Sequence, residues 1–221
     1  MSIFRNARLF LIVIAGSIFL TGCLNTKSPT EKIYEVLESV VQTEQGFEDQ
    51  QDPLVNLEQQ EKKLYDKIIA LGMKEFDQII KLSDEALTMV DQRKEHMEKE
   101  KESINKSSEE FKKIVTTIED IEDPKVKEKA RNMYATMMER YDIHNELYSN
   151  YMQGLEYDKE LYELFKNKEV SLEQLEEQIK KINESYENVL NANERFNEQT
   201  QKYNELKLEF YKQAGLEVKS K

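Results

Sequence analysis

Apolar residues recur at every seventh position along four consecutive stretches of this chain. In the first stretch Glu61 interrupts the row, which otherwise consists of Ile33, Val40, Phe47, Leu54 and Ile68. In the last stretch the row runs without interruption through Leu175, Ile182, Val189, Phe196, Tyr203 and Phe210. Such a repeat places these side chains on one face of an α-helix and is typical of helices that supercoil with a left hand. Six glycines and three prolines in 221 residues are too few for a turn-rich β-fold. The sequence therefore predicts an all-α protein.

Capping signals divide this repeat into four helical segments. Ser28 followed by Pro29 and Glu31 predicts the first helix start, and Ser171 with Gln174 predicts the last. Together with Gly72, Asp123-Pro124 and Gly215, these signals give segments 28–71, 73–121, 124–167 and 171–214. Because the connections are short and the segments are matched in length, sequential helices are expected to pair in opposite directions. The prediction is a long antiparallel up-and-down four-helix bundle of coiled-coil type.

Two places in this pattern leave alternatives open. The heptad phase of the first segment survives Gly46 and Pro53, which predicts one helix with a kink near Gln50–Pro53, although Asp52-Pro53 also fits a new helix start. In the second segment, the stretch 91–103 offers little besides Met97 to the apolar seam. That stretch is predicted either to be poorly ordered or to bulge from the bundle.

The first 22 residues differ from the helical region. Arg5 and Arg8 precede an uncharged, mostly apolar run from Leu9 to Leu20, which is shorter than the roughly 20 residues that a membrane-spanning helix needs. The run ends in Leu20-Thr21-Gly22-Cys23, which matches the lipobox of bacterial lipoprotein signal peptides. We therefore expect residues 1–22 to be removed and Cys23 to carry fatty chains, including palmitate. The alternative is an uncleaved N-terminal anchor.

These features define a domain organisation and a location. The predicted parts are a signal peptide (1–22), a lipidated tether (23–27), a helical bundle domain (28–214) and a flexible tail (215–221). Loss of residues 1–22 removes two arginines and no acid, so the mature chain has 30 basic and 44 acidic residues, a net charge of −14. An acidic chain of this kind argues against nucleic acid as a partner. The expected location is the outer face of the cell membrane, on the cell-wall side, with the membrane contacted through the lipid at Cys23.

The helical topology also predicts which end of the bundle faces the membrane. Because the lipid precedes the first helix, the turn at 121–124 and the C-terminus should lie at the membrane end. Lys125, Lys127, Lys129 and Arg131 follow that turn, and an anionic membrane would tolerate them. The alternative is that these residues are ordinary solvated helix faces.

The sequence contains no recognisable catalytic or metal-binding constellation. The only cysteine is assigned to lipid, and neither His-Glu-x-x-His nor a glycine-rich phosphate loop occurs. His96 is expected at the surface and His144 is expected to be partly buried and hydrogen-bonded across the bundle. The residue three before His144 is Tyr141, so the Glu-x-x-His pattern of di-iron bundles is not present there. We predict no cofactor, no metal and no enzyme activity.

One aromatic pattern is a candidate binding feature. Tyr134, Tyr141, Tyr148 and Tyr162 share one heptad row of the third segment. One interpretation is a stripe beside the core, with rings packed on neighbouring helices and hydroxyls in water. The other is an aromatic strip that stacks on glycan rings or receives a partner helix.

Several stretches of the chain resemble one known family. They are Cys23, Ile33–Glu38, Leu71–Asp84, Tyr157–Lys166 and Tyr203–Lys207. With these residues the sequence resembles the YkyA-like family of cell-wall-binding lipoproteins of Gram-positive bacteria over the whole mature chain. The resemblance implies an all-helical, surface-exposed lipoprotein, and it carries over no defined binding site.

Two functions follow as hypotheses. The first is a non-catalytic binding or scaffold protein that is tethered to the membrane and engages peptidoglycan or an envelope protein. The second is an adaptor that regulates a membrane enzyme or transporter without touching glycan. The net charge of −14 opposes direct attraction to anionic wall polymers. An envelope hydrolase is the third class, with no carboxylate pair singled out for it.

Overall fold

The computed structural model describes residues 27–216. The predictions that concern Leu20, Thr21, Gly22 and Cys23 lie outside the described residues. The charged tail from residue 217 onward lies outside them as well.

The described residues are helical almost throughout and contain no strand. The helices are α1 (Pro29–Thr43), α2 (Gln45–Ala70), α3 (Phe76–Lys112), α4 (Ile114–Glu119), α5 (Pro124–Phe165) and α6 (Leu172–Gln213), and a 3₁₀ turn, Met73–Glu75, precedes α3. Together α1 and α2 cover the first predicted segment, and α3 and α4 cover the second. The prediction of an all-α helical bundle is confirmed.

Most helix ends form where the capping residues predict them. The Ser28 hydroxyl accepts a hydrogen bond from the Glu31 amide, and the Glu31 carboxylate accepts one from the Ser28 amide, which completes a capping box. Ser171 and Gln174 exchange the same pair of bonds, at 3.2 and 2.9 Å. At the end of α6, Gly215 has a φ of +69°, and the Leu216 amide donates to the Tyr211 carbonyl at 3.0 Å. This is a Schellman ending, which needs a left-handed residue and so favours glycine.

Two predicted boundaries need correction. The sequence predicts one helix that is kinked near Gln50–Pro53, but the first segment is interrupted at Glu44, which separates α1 from α2. Pro53 lies inside α2, as expected for a helix that continues through this proline and not for a new helix start at Asp52-Pro53. The Glu44 carboxylate at the interruption is buried and bound to an arginine of another helix, as described below. Gly72, which bounds the first predicted segment, has a φ of −97° and precedes the 3₁₀ turn, so it does not close α2 as a left-handed C-terminal glycine.

The described residues divide into two compact units. Unit 1 comprises residues 27–45, 103–143 and 194–216. Its neighbouring segments are antiparallel: Ser107 meets Tyr141 while Glu119 meets Arg131, and Arg140 meets Thr200 while Lys129 meets Glu209. Its apolar core includes Ile33, Leu37, Val40, Ile104, Phe111, Ile114, Ile118, Met133, Phe196 and Phe210.

Unit 2 comprises residues 46–102 and 144–193. Its segments are antiparallel too, since Lys101 meets Asn145 while Asp84 meets Lys166, and the Ser185 hydroxyl donates to the Asn150 carbonyl. Its core cluster includes Leu54, Ile68, Ile79, Leu82, Ala86, Val90, Met97, Leu155, Leu161 and Phe165. The structure therefore shows antiparallel packing of helical segments in both units.

The heptad rows identify the buried face correctly, including their polar members. Every residue of the row that runs from Ile33 to Ile68 is buried, and this includes Glu61. The row from Ile79 to Ile121 is likewise buried throughout, although it contains Arg93, Glu100 and Ser107. The stretch 91–103, which the sequence predicted to be poorly ordered or to bulge, is part of the continuous helix α3 and contributes Arg93, Glu100 and Ser103 to the interior.

Candidate functional site

Unit 2 holds a buried arginine among carboxylates. The Arg93 side chain is 4% exposed. Its Nη1 donates to Glu61 Oε2 at 2.5 Å and to Asp158 Oδ2 at 3.2 Å, while its Nη2 lies 3.8 Å from Glu58 Oε1. One guanidinium therefore faces three carboxylates, and none of the four side chains is more than 9% exposed. We call these residues, with Tyr151, Tyr162 and Tyr186, the Arg93 cluster.

Three tyrosine hydroxyls connect the ions of this cluster. The Tyr151 hydroxyl accepts from Arg93 Nε at 2.9 Å and donates to Glu58 Oε1 at 2.8 Å. The Tyr186 hydroxyl accepts from Arg93 Nη2 at 2.7 Å and donates to Asp158 Oδ2 at 2.5 Å. The Tyr162 hydroxyl donates to Glu61 Oε1 at 3.1 Å. Buried ions are stable only when their hydrogen-bonding groups are satisfied. The three hydroxyls donate hydrogen bonds to carboxylate oxygens in addition to the bonds that the single arginine donates.

Burial alters the acidity of this cluster. Burial, together with the nearby Glu61 charge, raises the pKa of the Asp158 carboxyl to about 7, although Arg93 and the Tyr186 hydroxyl oppose the change. Burial also raises the pKa of Glu58, against the attraction of Arg93. The hydroxyls of Tyr151 and Tyr186 have pKa values well above the usual range, because burial disfavours the phenolate. The tyrosines therefore stay neutral donors, and the carboxyls are the groups that can exchange protons.

A second polar group of unit 2 contains the buried histidine that the sequence indicated. His144 is 0% exposed, and its Nε2 lies 2.8 Å from Glu100 Oε1. The Gln51 amide donates to Glu100 Oε2 at 2.6 Å. The prediction of a hydrogen-bonded histidine inside the bundle is confirmed. His96 is half-buried, with its Nδ1 2.7 Å from Gln50 Oε1, so it is less exposed than we expected.

Unit 1 contains one buried ion pair with matched charges. Arg140 and Glu44 form two parallel bonds, Nη1 to Oε1 at 2.8 Å and Nη2 to Oε2 at 2.9 Å. Arg140 Nε donates to the Thr200 hydroxyl at 2.8 Å, and the Ser107 hydroxyl donates to Glu44 Oε1 at 2.7 Å. Two-pronged geometry of this kind is the strongest form of an arginine–carboxylate contact. The pair connects the turn between α1 and α2 to α3, α5 and α6.

A buried lysine lies in the same unit. Lys207 is 3% exposed, and its ammonium lies 5.8 Å from the centre of the Tyr203 ring. Burial lowers the pKa of Lys207, while Glu38 and Glu44 oppose this change. The Tyr203 hydroxyl is buried with no hydrogen-bond partner among the described residues.

The four tyrosines of the predicted stripe differ in exposure. Tyr141 and Tyr162 are 2% and 3% exposed, whereas Tyr134 and Tyr148 are half-buried. In unit 1, Tyr134 stacks on Phe111, and the Tyr141 hydroxyl donates to Ser107 at 2.6 Å. In unit 2, Tyr162 binds Glu61, and the Lys101 ammonium lies 5.5 Å from the Tyr148 ring centre. Tyr141 and Tyr162 therefore pack and bond inside their own units, and neither offers a ring face for a glycan.

Metal binding and membrane crossing are two further possibilities for the described residues. Within 27–216, no group of three or more His, Cys, Asp or Glu side chains is arranged to hold a metal ion. No described helix has both the length and the apolar character that crossing a membrane requires. The side chains of the Arg93 cluster are one guanidinium, three carboxyls and three tyrosine hydroxyls. What its arrangement can do is hold helices in register and take up or release protons.

The sequence pattern does not identify these clusters as sites. Glu61 interrupts an apolar row, and Arg93 and Glu100 occupy a seven-residue row that is otherwise apolar or small, but their partners are not evident from the pattern. The signal that could have found the clusters is the presence of opposite charges on seams of different helices. A buried seam position can hold a charge only if a partner faces it.

The helical fold and the buried polar residues together define the class of this protein. It is an all-α bundle protein in which polar core residues connect the helices. The sequence profile of the YkyA family, described as "Putative cell-wall binding lipoprotein", matches residues 28–213. A Bacillus subtilis (strain 168) protein named uncharacterized lipoprotein YkyA is 37% identical over 205 residues, which are 93% of this chain and 92% of that protein. The chain belongs to the YkyA family.

A solved structure shows the same fold. It is a 1.6 Å crystal structure of a conserved protein of unknown function from Staphylococcus aureus, similar with a TM-score of 0.73 and 16% sequence identity. The match covers 85% of this chain and 97% of the other. At this identity the likeness concerns the fold alone.

Proposed function

We propose that the mature chain is anchored by lipid at Cys23 on the outer face of the cell membrane and acts there as a non-catalytic scaffold that binds the cell wall or an envelope protein. The observation that carries this proposal is the match over residues 28–213 to the YkyA family, whose description is "Putative cell-wall binding lipoprotein". The lipobox Leu20-Thr21-Gly22-Cys23 supports the anchor. The family description and the relative's name indicate no enzyme.

The position of the first helix limits how far unit 1 can lie from the membrane. Ser28 caps α1 and follows Cys23 by five residues, so the link spans at most roughly 17 Å when fully extended. The Tyr34 and Tyr211 rings lie 5.2 Å apart, and α1 packs on α4, so the C-terminal part of α6 and the turn after α4 lie beside the start of α1. We infer that this end of unit 1 faces the bilayer.

Two of the basic side chains at this end form ion pairs. Arg131 makes two-pronged contacts with Glu119, and Lys129 binds Glu209. The Lys127 ammonium donates to the Glu119 carbonyl at 2.6 Å. Since Arg131 and Lys129 pair with carboxylates, the proposal assigns membrane attachment mainly to the lipid.

Metabolic labelling tests the anchor. Cells that express the chain and receive radiolabelled palmitate should yield a labelled protein that begins at Cys23. The matched Cys23→Ala variant should remain unlabelled and keep residues 1–22. An unlabelled wild-type protein would overturn the anchor and with it the proposed orientation.

Co-sedimentation tests the wall-binding part separately. The purified mature chain, carrying Cys23→Ser, is mixed with isolated wall sacculi in the presence and absence of Mg²⁺. Pelleting that saturates with protein supports a wall-binding scaffold. If the protein pellets under no condition, direct wall binding is contradicted, whereas the proposed lipid anchor is unaffected.

One observation favours the adaptor as a second candidate. The mature net charge of −14 repels anionic wall polymers, whereas a protein partner with a basic surface would be attracted. Cross-linking in intact cells, followed by identification of neighbours, separates the candidates. A single recurrent membrane enzyme or transporter among the neighbours supports the adaptor.

A further inference from the structure

The two units differ in how their buried charges balance. In unit 1, Arg140 and Glu44 match one to one, and Lys207 lies close enough to Glu38 for attraction. In unit 2, Arg93 is the one cation of the Arg93 cluster and faces Glu58, Glu61 and Asp158. If all three carboxyls were ionised, the cluster would hold two uncompensated negative charges in its interior. Excess buried charge of this size is relieved most readily by a bound proton.

The geometry identifies where a proton would bind. Glu61 has the shortest contact with the guanidinium, at 2.5 Å, and is therefore the carboxylate that pairs most closely with the cation. Asp158 Oδ2 is 3.2 Å from Arg93 Nη1, and Glu58 has no hydrogen bond from the guanidinium, only a distance of 3.8 Å. Asp158 and Glu58 are therefore the groups that compete less well for the single cation.

The groups around Asp158 come from every helix of unit 2. Helix α2 contributes Glu58 and Glu61, α3 contributes Arg93, and α6 contributes Tyr186. Its own helix α5 contributes Tyr151 and Tyr162, and Glu100 acts on Glu58 from further along α3. None of these adds a second cation, and the Lys159 ammonium binds Asp91 at the surface.

We propose that the Arg93 cluster is a proton-binding element that makes the folded protein pH-responsive, holding a proton on Asp158 or Glu58 in the weakly acidic range and releasing it as the pH rises. The raised pKa values of Asp158, to about 7, and of Glu58 agree with this assignment. The folded chain then binds more protons than the unfolded chain between about pH 4 and pH 7. The free energy of unfolding therefore falls as the pH rises through this window, and the folded protein is most stable in a weakly acidic medium.

Equilibrium unfolding of the mature chain, carrying Cys23→Ser, in urea at pH 5 and pH 7 tests this element. We expect the unfolding equilibrium constant of the wild type to rise on the order of tenfold or more from pH 5 to pH 7. Asp158→Asn, which keeps an oxygen for the Tyr186 hydroxyl, should lose most of that dependence, and Glu58→Gln should lose part of it. Asp91→Asn is the matched control, since it removes one exposed acid from the same unit and should retain the full dependence.

The outcomes separate clearly. A wild-type stability that is flat or rises from pH 5 to pH 7 overturns the proposal, and so does a full dependence that persists in both Asp158→Asn and Glu58→Gln. If Asp158→Asn does not fold, carboxyl-carbon NMR titration of the wild type decides. Midpoints for both Asp158 and Glu58 in the usual range of solvent-exposed acids would overturn the proposal. A midpoint near neutrality for either would support it.

Discussion

At the scale of single residues, Arg93 is the side chain on which the polar core of unit 2 depends. It is fully buried and binds Glu61, Asp158, Tyr151 and Tyr186. We predict that Arg93→Met lowers the free energy of unfolding by about 3–5 kcal/mol, because it leaves buried carboxylates without a cation. Urea unfolding followed by far-UV circular dichroism measures this change.

Arg131→Met is the matched control for Arg93→Met. Arg131 also makes a bidentate contact with a carboxylate, that of Glu119, but both side chains are 57% exposed. Water therefore compensates for the loss of this ion pair. We expect a much smaller change than for Arg93. Equal effects of the two substitutions would contradict the structural role given to the Arg93 cluster.

Gly154 shows a second residue-scale constraint. A Cβ at this position would lie 3.0 Å from the Tyr186 ring, which is fixed by bonds to Arg93 and Asp158. Although alanine favours helix over glycine by about 1 kcal/mol, displacing a pinned ring costs about 1–3 kcal/mol. We therefore predict a net loss of thermal stability for Gly154→Ala. Gly72→Ala, where nothing lies within 4 Å and φ is −97°, should be neutral, and a stabilised Gly154→Ala would show that the ring moves freely.

At the scale of elements, the capping residues set the helix starts. The Ser171 hydroxyl accepts a hydrogen bond from the backbone N–H of Gln174. This N–H lies in the first turn of α6 and has no backbone partner within the helix. We predict that Ser171→Ala lowers stability by about 1 kcal/mol, measured by chemical denaturation. Ser149→Ala, at an exposed position inside α5, should be neutral or slightly stabilising because alanine is the better helix former. A Ser171→Ala protein that matches Ser149→Ala would show that the cap contributes nothing.

The interruption between α1 and α2 shows why one element boundary could not be predicted. The sequence predicts a kink near Gln50–Pro53, because proline removes a backbone donor, and it indicates no interruption before that point. The interruption falls at Glu44, whose carboxylate binds Arg140 and Ser107. Those partners lie 96 and 63 positions away along the chain, so no local pattern could reveal them.

At the scale of the whole molecule, the net charge of −14 expected for the mature chain should oppose the proposed contact with the anionic cell wall. Like charges repel at long range, and salt or divalent cations screen that repulsion. We predict that co-sedimentation with sacculi increases on addition of Mg²⁺, and that sacculi stripped of anionic polymers bind more protein than intact ones. Binding that is strongest at low ionic strength on intact sacculi would contradict this, and it would point to a local basic site that outweighs the net charge of −14.

The sequence by itself determined the helical class, the capped starts of α1 and α6, and which face of each helix is buried. These follow from a seven-residue period and short-range capping, which are properties of neighbouring residues. The tertiary structure alone decided which buried charges meet. Glu61 and Arg93 each occupied a seam position in the sequence, but only the packing of α2, α3, α5 and α6 brings three carboxylates to one guanidinium. It also decided that Tyr141 and Tyr162 point inward, since a heptad row fixes a helix face while the neighbouring helices fix its exposure.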